Sequence, residues 1–255
     1  MPTRTIKMVV AYVGTRYAGW QVQPGRPTIQ GVLEERLSRM LGETIALAGA
    51  GRTDAGVHAL GQVASFSTSR SIPLDGLRRG LNARLPEEIR VMQASEVNPT
   101  FHARSDARGK EYRYRFAVSE VVSPFEAPFV WPLRGHPDVA AMRRATAAFE
   151  GRHDFTSLAP ADCELDDRVR TLGPITVEEK EREIVLSVHG DGFLRHMVRT
   201  LAGTVLEAGL GKRDPDSMRA VIEARDRRAA GVRAPARGLT LVRVLYDEEG
   251  ACASS

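Results

Sequence analysis

The chain has 255 residues, 42% of them hydrophobic, with a formal net charge of +4. At roughly 100–200 residues per domain this predicts one or two domains, and the apolar share supports a packed core, which excludes a disordered tail. No apolar run is long enough to cross a bilayer and no charged start leads into an apolar signal core, so a cytoplasmic protein is expected.

From the N-terminus, residues 6–12 alternate as a strand does. Residues 28–41 place Ile29, Val32, Leu33, Leu37, Met40 and Leu41 at helical spacing behind Thr28, a capping residue type. Residues 63–68 read as a strand returning from a glycine-rich loop, 74–85 as a helix on Leu74, Leu77, Leu81 and Leu85, and 89–97 as another strand. A second half opens near Ala107. Residues 111–118 alternate Tyr112, Tyr114 and Phe116 with Arg113, Arg115 and Ala117. A long connection punctuated by Pro124, Pro128, Pro132 and Pro137 leads to a helix over 139–149. Residues 175–180 and 184–189 suggest a hairpin. Residues 193–210 predict a helix burying Leu194, Met197, Val198, Leu201 and Val205. Residues 225–237 are a polar, glycine- and proline-bearing loop, read either as mobile or as a simple surface connection, and 239–246 close the chain as a strand. This order predicts an α+β fold: two ferredoxin-like or RRM-like α/β halves, residues 1–106 and 107–255, sharing a mainly antiparallel central sheet with helices on one face.

The stretch Gly51-Arg52-Thr53-Asp54-Ala55-Gly56-Val57-His58 holds one carboxylate, a guanidinium two residues before it, and glycines on both sides. Glycines let a bulky ligand approach the main chain, so Asp54 is expected on a loop facing something large, with Arg52 keeping it charged. The competing reading is a turn in which Asp54 caps a short helix. Neither a dinucleotide fingerprint nor a phosphate-cradling loop fits: the third glycine position is Asp54, and no Gly-Lys-Ser/Thr follows. Asp54 and His58 lack an evident third metal ligand, no Gly-x-Ser-x-Gly elbow occurs, and no second carboxylate accompanies Asp54. The two cysteines, Cys163 and Cys252, form no Cys-x-x-Cys, which argues against a zinc site or disulfide framework and suits a reducing compartment. Chemistry resting on one lone carboxylate, with no cofactor motif, is a narrow class.

Other features point to a polynucleotide. Of the 36 basic residues only Lys7, Lys110, Lys180 and Lys212 are lysine, leaving 32 arginines. Arginine grips phosphate at two points and stacks on bases, although GC-rich coding produces the same bias. Residues 104–116 interleave positive charge with aromatic rings, so one strand face is suited to stack a base and the other to meet phosphates; an ordinary edge strand has the same pattern. Arg195 and Arg199, one helical turn apart, are expected to share a face, where they either need a partner such as Asp54 or, as the pattern alone favours, snorkel from the surface of a helix. His189 and His196 suit packing or the surface, and His102 and His153 are minor candidates for RNA contact. A non-catalytic RNA-binding α+β protein would explain the arginines and Tyr112, but not a lone carboxylate in an RNA-facing loop.

Seven stretches, YVGTRYAGWQ at 12–21, TIQGVLEE at 28–35, GRTDAGVH at 51–58, FHAR at 101–104, YRY at 112–114, GRHDF at 151–155 and FLRHMVR at 193–199, together resemble the bacterial tRNA pseudouridine synthase A family. The match runs in order from about residue 6 to Asp247, and only an acidic stretch at 163–167 and a small polar C-terminal tail stand apart from it. The resemblance implies isomerisation of uridine to pseudouridine in the anticodon stem-loop of tRNA, at tRNA positions 38–40, by an aspartate nucleophile acting on a flipped-out base. It implies no cofactor, no metal, and a homodimer whose subunits jointly form the RNA cleft. It places the catalytic aspartate at Asp54, the active-site tyrosine at Tyr112 and the carboxylate-pairing arginine at Arg199, with Arg52 in the same motif as Asp54. Trp20, Gln21, Arg104, Lys110, Arg113 and Arg195 are further candidates for RNA contact.

Overall fold

A computed structural model describes residues 3–163 and 165–247. The polar C-terminal tail and Cys252 singled out in the sequence lie outside the described residues. The fold is mixed α/β with a large, mostly antiparallel sheet, as the element order predicted.

The chain divides into two compact units, one made of residues up to Gly109 and from Leu241 onward, the other running Lys110–Thr240. In the first unit, strand β1 (Arg4–Tyr12) pairs antiparallel with β3 (His58–Thr68) and with β4 (Ile89–Val97), and the short β2 (Ala48–Gly49) pairs with β3. Every second residue of β1 points into the core: Ile6, Met8 and Val10 are buried, as are Leu33 and Leu37 of helix α1 (Ile29–Leu41) and Leu77 and Leu81 of α2 (Leu74–Asn82). Each such side chain contributes ~1.5–3 kcal/mol on burial. Helix α1 starts where the sequence predicts, because the Thr28 hydroxyl accepts the Gly31 N–H at 3.3 Å, and it stops at Gly42, whose φ of 65° is left-handed.

The second unit is built on β5 (Ala107–Ala117), which belongs to it from Lys110, β7 (Gly151–Asp154), β8 (Val169–Lys180) and β9 (Glu183–Gly190), antiparallel in the order β5-β9-β8-β7, with the short β6 (Trp131–Pro132) parallel to β5. Its helices are α3 (Val139–Ala147), α4 (Met197–Gly209) and α5 (Met218–Glu223). Helix α4 is buried almost all round, including Thr200, Gly203 and Thr204, which marks it as the unit's central helix. The closing strand β10 (Leu239–Tyr246) begins in the second unit, but from Leu241 it belongs to the first, where it lies beside β3. The division therefore falls three residues later than 106/107, and the chain's last described residues rejoin the first unit: the Tyr246 hydroxyl donates to the Ala103 carbonyl at 2.7 Å.

Two local expectations are corrected. Residues 193–196 are not helical. Helix α4 starts at Met197, and His196 just before it has a φ of 63°, a left-handed conformation that breaks the helical spacing. Arg195 and Arg199 therefore do not share a helix face. The connection 225–237 is also fastened to α4. A Cβ on Gly203 would lie 1.8 Å from the Val232 carbonyl oxygen, so loop backbone rests directly on the helix. The buried Gly231 N–H donates to the Thr204 hydroxyl at 2.9 Å, and Ala234 is fully buried.

Candidate active site

Asp54 opens a four-residue turn that leads into β3, and no helix starts there. The Val57 N–H bonds back to the Asp54 carbonyl at 3.1 Å, and Gly56, third in the turn, has a φ of 79° while Ala55 keeps a negative one. That is the geometry of a type II turn, which wants glycine at its third position. The Asp54 side chain is partly buried.

The backbone around it is fixed at successive residues. The Gly51 carbonyl accepts from Gln62 at 2.9 Å, the Thr53 carbonyl accepts the Trp20 N–H at 3.1 Å, and the Gly56 N–H reaches the Tyr17 carbonyl at 3.4 Å. Segment 14–20 presses directly on this loop. A Cβ on Gly14 would lie 2.0 Å from the Val57 carbonyl oxygen, and one on Gly19, whose φ is 97°, would lie 2.5 Å from that of Thr53. Glycine at both positions permits the close backbone approach. Tyr12 and Thr53 share a buried hydrogen bond of 2.7 Å, and burial pushes the Tyr12 phenol well above its ordinary value, so it stays neutral. His58 is buried and its Nδ1 accepts the Gly14 N–H at 3.2 Å, a structural use of the ring. Among the described residues no group of three His, Cys, Asp or Glu side chains is placed to hold a metal ion.

The first unit thus gathers Trp20, Gln21, Arg52 and Asp54 around one loop. Arg52 is exposed and donates from Nε to the Gln21 side-chain oxygen at 3.2 Å. Trp20 is only 1% exposed, with its indole against Gly49, where a Cβ would lie 2.4 Å from Nε1, and its ring 6.1 Å from that of Tyr12. A side chain so enclosed supports the loop and presents no face to RNA, contrary to its expected role. Arg104 is exposed on a turn whose neighbour Ala103 packs with Ala50 and Val63, at the base of the Asp54 loop.

The second unit carries Lys110, Tyr112, Arg113, Arg195 and Arg199. Tyr112 is 7% exposed on β5 and meets the Phe193 ring edge-on at 4.9 Å. Tyr114 and Phe116, on the same strand face, are fully buried; burial raises the Tyr114 phenol far above its usual value, and its hydroxyl donates to the Pro235 carbonyl at 2.8 Å. Arg113 projects from the opposite face toward Glu111 at 3.6 Å, and Lys110 stands opposite Gly190. Arg195 is exposed and paired with the exposed Asp162, whose carboxyl it holds below the usual range chiefly through its hydrogen bond. Arg199 donates from Nε to the Ala234 carbonyl at 2.8 Å, while the Ala234 N–H returns a bond of 3.1 Å to the Arg199 carbonyl. The sequence reading did not single out the supports Thr53 and Gln62, or the role of Gly14 and Gly19. The glycine spacing at 14 and 19 was the one visible signal.

A family model described as tRNA pseudouridine synthase matches residues 8–106 and 145–247. A protein named tRNA pseudouridine synthase A from Geotalea uraniireducens is 44% identical over 243 residues, 95% of this chain and 100% of the relative. One of the same name from Pelobacter propionicus is 45% identical over 243 residues, with the same shares. Among solved structures, a chain from an H/ACA RNP bound to a substrate RNA containing 2′-deoxyuridine aligns at 16% identity with a TM-score of 0.35, covering 79% of this chain and 44% of that one, too distant to add to the assignment. With a family model over most of its length and full-length relatives at this identity, the chain belongs to the tRNA pseudouridine synthase A family and is an isomerase of that class.

Proposed function

We propose that the protein, acting as a homodimer, converts uridine to pseudouridine in the anticodon stem-loop of tRNA, with Asp54 as the reacting carboxylate. The observation that carries this reading is the placement of Asp54: partly buried, on a glycine turn fixed by its neighbours' backbone, and leading into a strand instead of capping a helix. A carboxylate held in this way is oriented before substrate arrives, which lowers the entropic cost of reaction.

Uracil is a poor leaving group, so its bond to the ribose breaks only with help at the sugar or the ring. Asp54 attacks as a nucleophile at the anomeric carbon or at C6, or removes the 2′ proton to give a glycal; each route uses the ionised carboxylate. The uracil then turns, C5 bonds to the anomeric carbon, and the C5 proton leaves to restore the ring. Tyr112 is suited to stack on the uracil and assist that last proton transfer. A uridine in a stem-loop must be flipped out first, at a cost of a few kcal/mol that backbone contacts offset.

The test is Asp54→Asn, assayed by tritium release from tRNA labelled at uridine C5. Release is expected to fall by about 10³-fold or more while tRNA binding persists. Undiminished release would remove Asp54 from the reaction.

A further inference from the structure

Four arginines lie between residues 225 and 233, and the structure treats them unequally. Arg225 pairs with Asp154 at 3.2 Å and Arg228 with Asp226 at 2.7 Å. Arg227 and Arg233 have no carboxylate partner among the described residues. Arg227 donates from Nη1 to the Ala230 carbonyl at 3.3 Å, and Arg233 from Nη1 to Nδ1 of His196 at 3.0 Å. Arginine only donates, so Nδ1 accepts.

A third guanidinium, Arg213, closes the group by donating to the Ala229 carbonyl at 2.8 Å. The nearby carboxylate, Glu207, already takes Arg213 Nε at 2.6 Å and the Val232 N–H at 2.9 Å. Burial, and next the charge of Arg233, push the Arg227 guanidinium below its ordinary value; Glu207 opposes this and Arg213 adds to it. Three cations against one engaged anion repel one another, and hydrogen bonds to a fixed loop keep them in place. An oxyanion placed among them turns that repulsion into attraction, and paired guanidiniums match its geometry.

We propose that Arg227 and Arg233 form a subsite for one phosphodiester of the RNA substrate, with His196 orienting the Arg233 fork. Its position favours RNA over a free anion. Ala234, next to Arg233, is the residue clasped by Arg199, and His196 immediately precedes the helix that carries Arg199. A backbone phosphate seated here tethers the polynucleotide beside that helix. The inference rests on tRNA as the substrate, and not on which uridine is modified.

The experiment measures the Kd of an unmodified tRNA transcript for the full-length wild type, Arg233→Ala and Arg233→Lys, across roughly 50–200 mM KCl. Because Arg233 is exposed, its loss should leave folding intact, which a melting curve verifies. Arg233→Ala is expected to raise Kd about 3- to 10-fold and to lower the slope of log K against log salt by about 1, with KM rising in parallel and kcat held. Arg233→Lys should recover most of the slope, since a point charge still reaches phosphate. An unchanged Kd and slope in Arg233→Ala overturns the proposal, as does a fall in kcat at constant Kd. Tight binding of inorganic phosphate that depends on Arg233, with tRNA affinity indifferent to it, also overturns it. Modification of uridines only outside the anticodon stem-loop would refute that stem-loop as the target and leave the slope change intact.

Discussion

The loop around Asp54 and the loop around Ala234 each hold an irregular backbone beside a residue that the resemblance gives a role in the proposed reaction, yet different forces hold them. The first is fastened by neutral contacts: backbone hydrogen bonds from Trp20 and to Tyr17, the Tyr12–Thr53 hydroxyl pair, and glycines that let one chain segment lie on another. The second is fastened largely by charged side chains reaching carbonyls and amides: Arg199 to Ala234, Arg213 to Ala229, Arg227 to Ala230 and Glu207 to Val232. Neutral packing is indifferent to salt and to pH, whereas ion-based fastening weakens as salt rises and as its carboxylate takes up a proton at low pH. The carboxylate proposed to react thus sits on the part of the molecule fastened chiefly by neutral contacts, and the arginines proposed to face phosphate on the part that an incoming polyanion would tighten.

The largest test of this contrast is Gly19→Ala. A side chain there must accept a φ of 97° and place its Cβ 2.5 Å from the Thr53 carbonyl oxygen and 3.1 Å from the Asp54 carbonyl carbon. The left-handed conformation costs about 1–2 kcal/mol and the displaced backbone about as much again, so a loss of about 3 kcal/mol is expected in chemical denaturation. Because the displaced backbone is that of the Asp54 turn, tritium release should fall about 10²-fold in protein that is still folded. A variant that loses stability but retains full turnover would show that the turn does not position the carboxylate.

Thr204→Val tests the neutral component of the other loop. Thr204 is fully buried; its hydroxyl donates to the Thr200 carbonyl at 2.8 Å and accepts the buried Gly231 N–H at 2.9 Å. Valine keeps the shape and strands the amide, at a cost of about 1–3 kcal/mol. Hydrogen exchange at Gly231 should accelerate while exchange at Gly56 and Val57 holds. Acceleration of all three would mean that the two loops are not separately fastened.

Much of this arrangement was legible in the chain, and what was not has identifiable causes. Periodicity located α1 because Thr28 caps it and Leu33 and Leu37 repeat at helical spacing, and it located β1 because Ile6, Met8 and Val10 alternate. The same apolar spacing runs on through Phe193 and Leu194, so nothing in residue type announced that His196 turns left-handed and delays α4. The polar composition of 225–237 suggested a mobile connection because its anchors are backbone carbonyls and amides, which no residue pattern displays. Trp20 invited a stacking role by its chemistry; only the placement of Gly49 against its indole reveals a support. Strand β7 and helix α5 were overlooked because four and six residues are too few for a period to register. At the candidate site the sequence identified Asp54 as the lone carboxylate between glycines, but the glycines at 14 and 19 that lock its turn act at a distance along the chain.

The smallest expected effect is acid loosening confined to the charged loop. Burial alone would raise the Glu207 carboxyl, but the Arg213 hydrogen bond, the Val232 amide and the charges of Arg213 and Lys212 outweigh it and hold it below its ordinary value of 4.5. A carboxyl depressed in the folded state stabilises fully above its unfolded value and loses that contribution as pH falls through the folded one. Fastening of Val232 and Arg213 is therefore complete at neutral pH and declines below about pH 4.5. Hydrogen exchange corrected for intrinsic rates should show the Val232 amide opening across that range while Val57, whose bond to the Asp54 carbonyl involves no titrating group, stays protected. Glu207→Gln should remove the pH dependence, since an amide keeps much of the geometry without a proton to gain. If Val57 opens together with Val232, or if Glu207→Gln leaves the acid response intact, then charge is not what distinguishes the two loops.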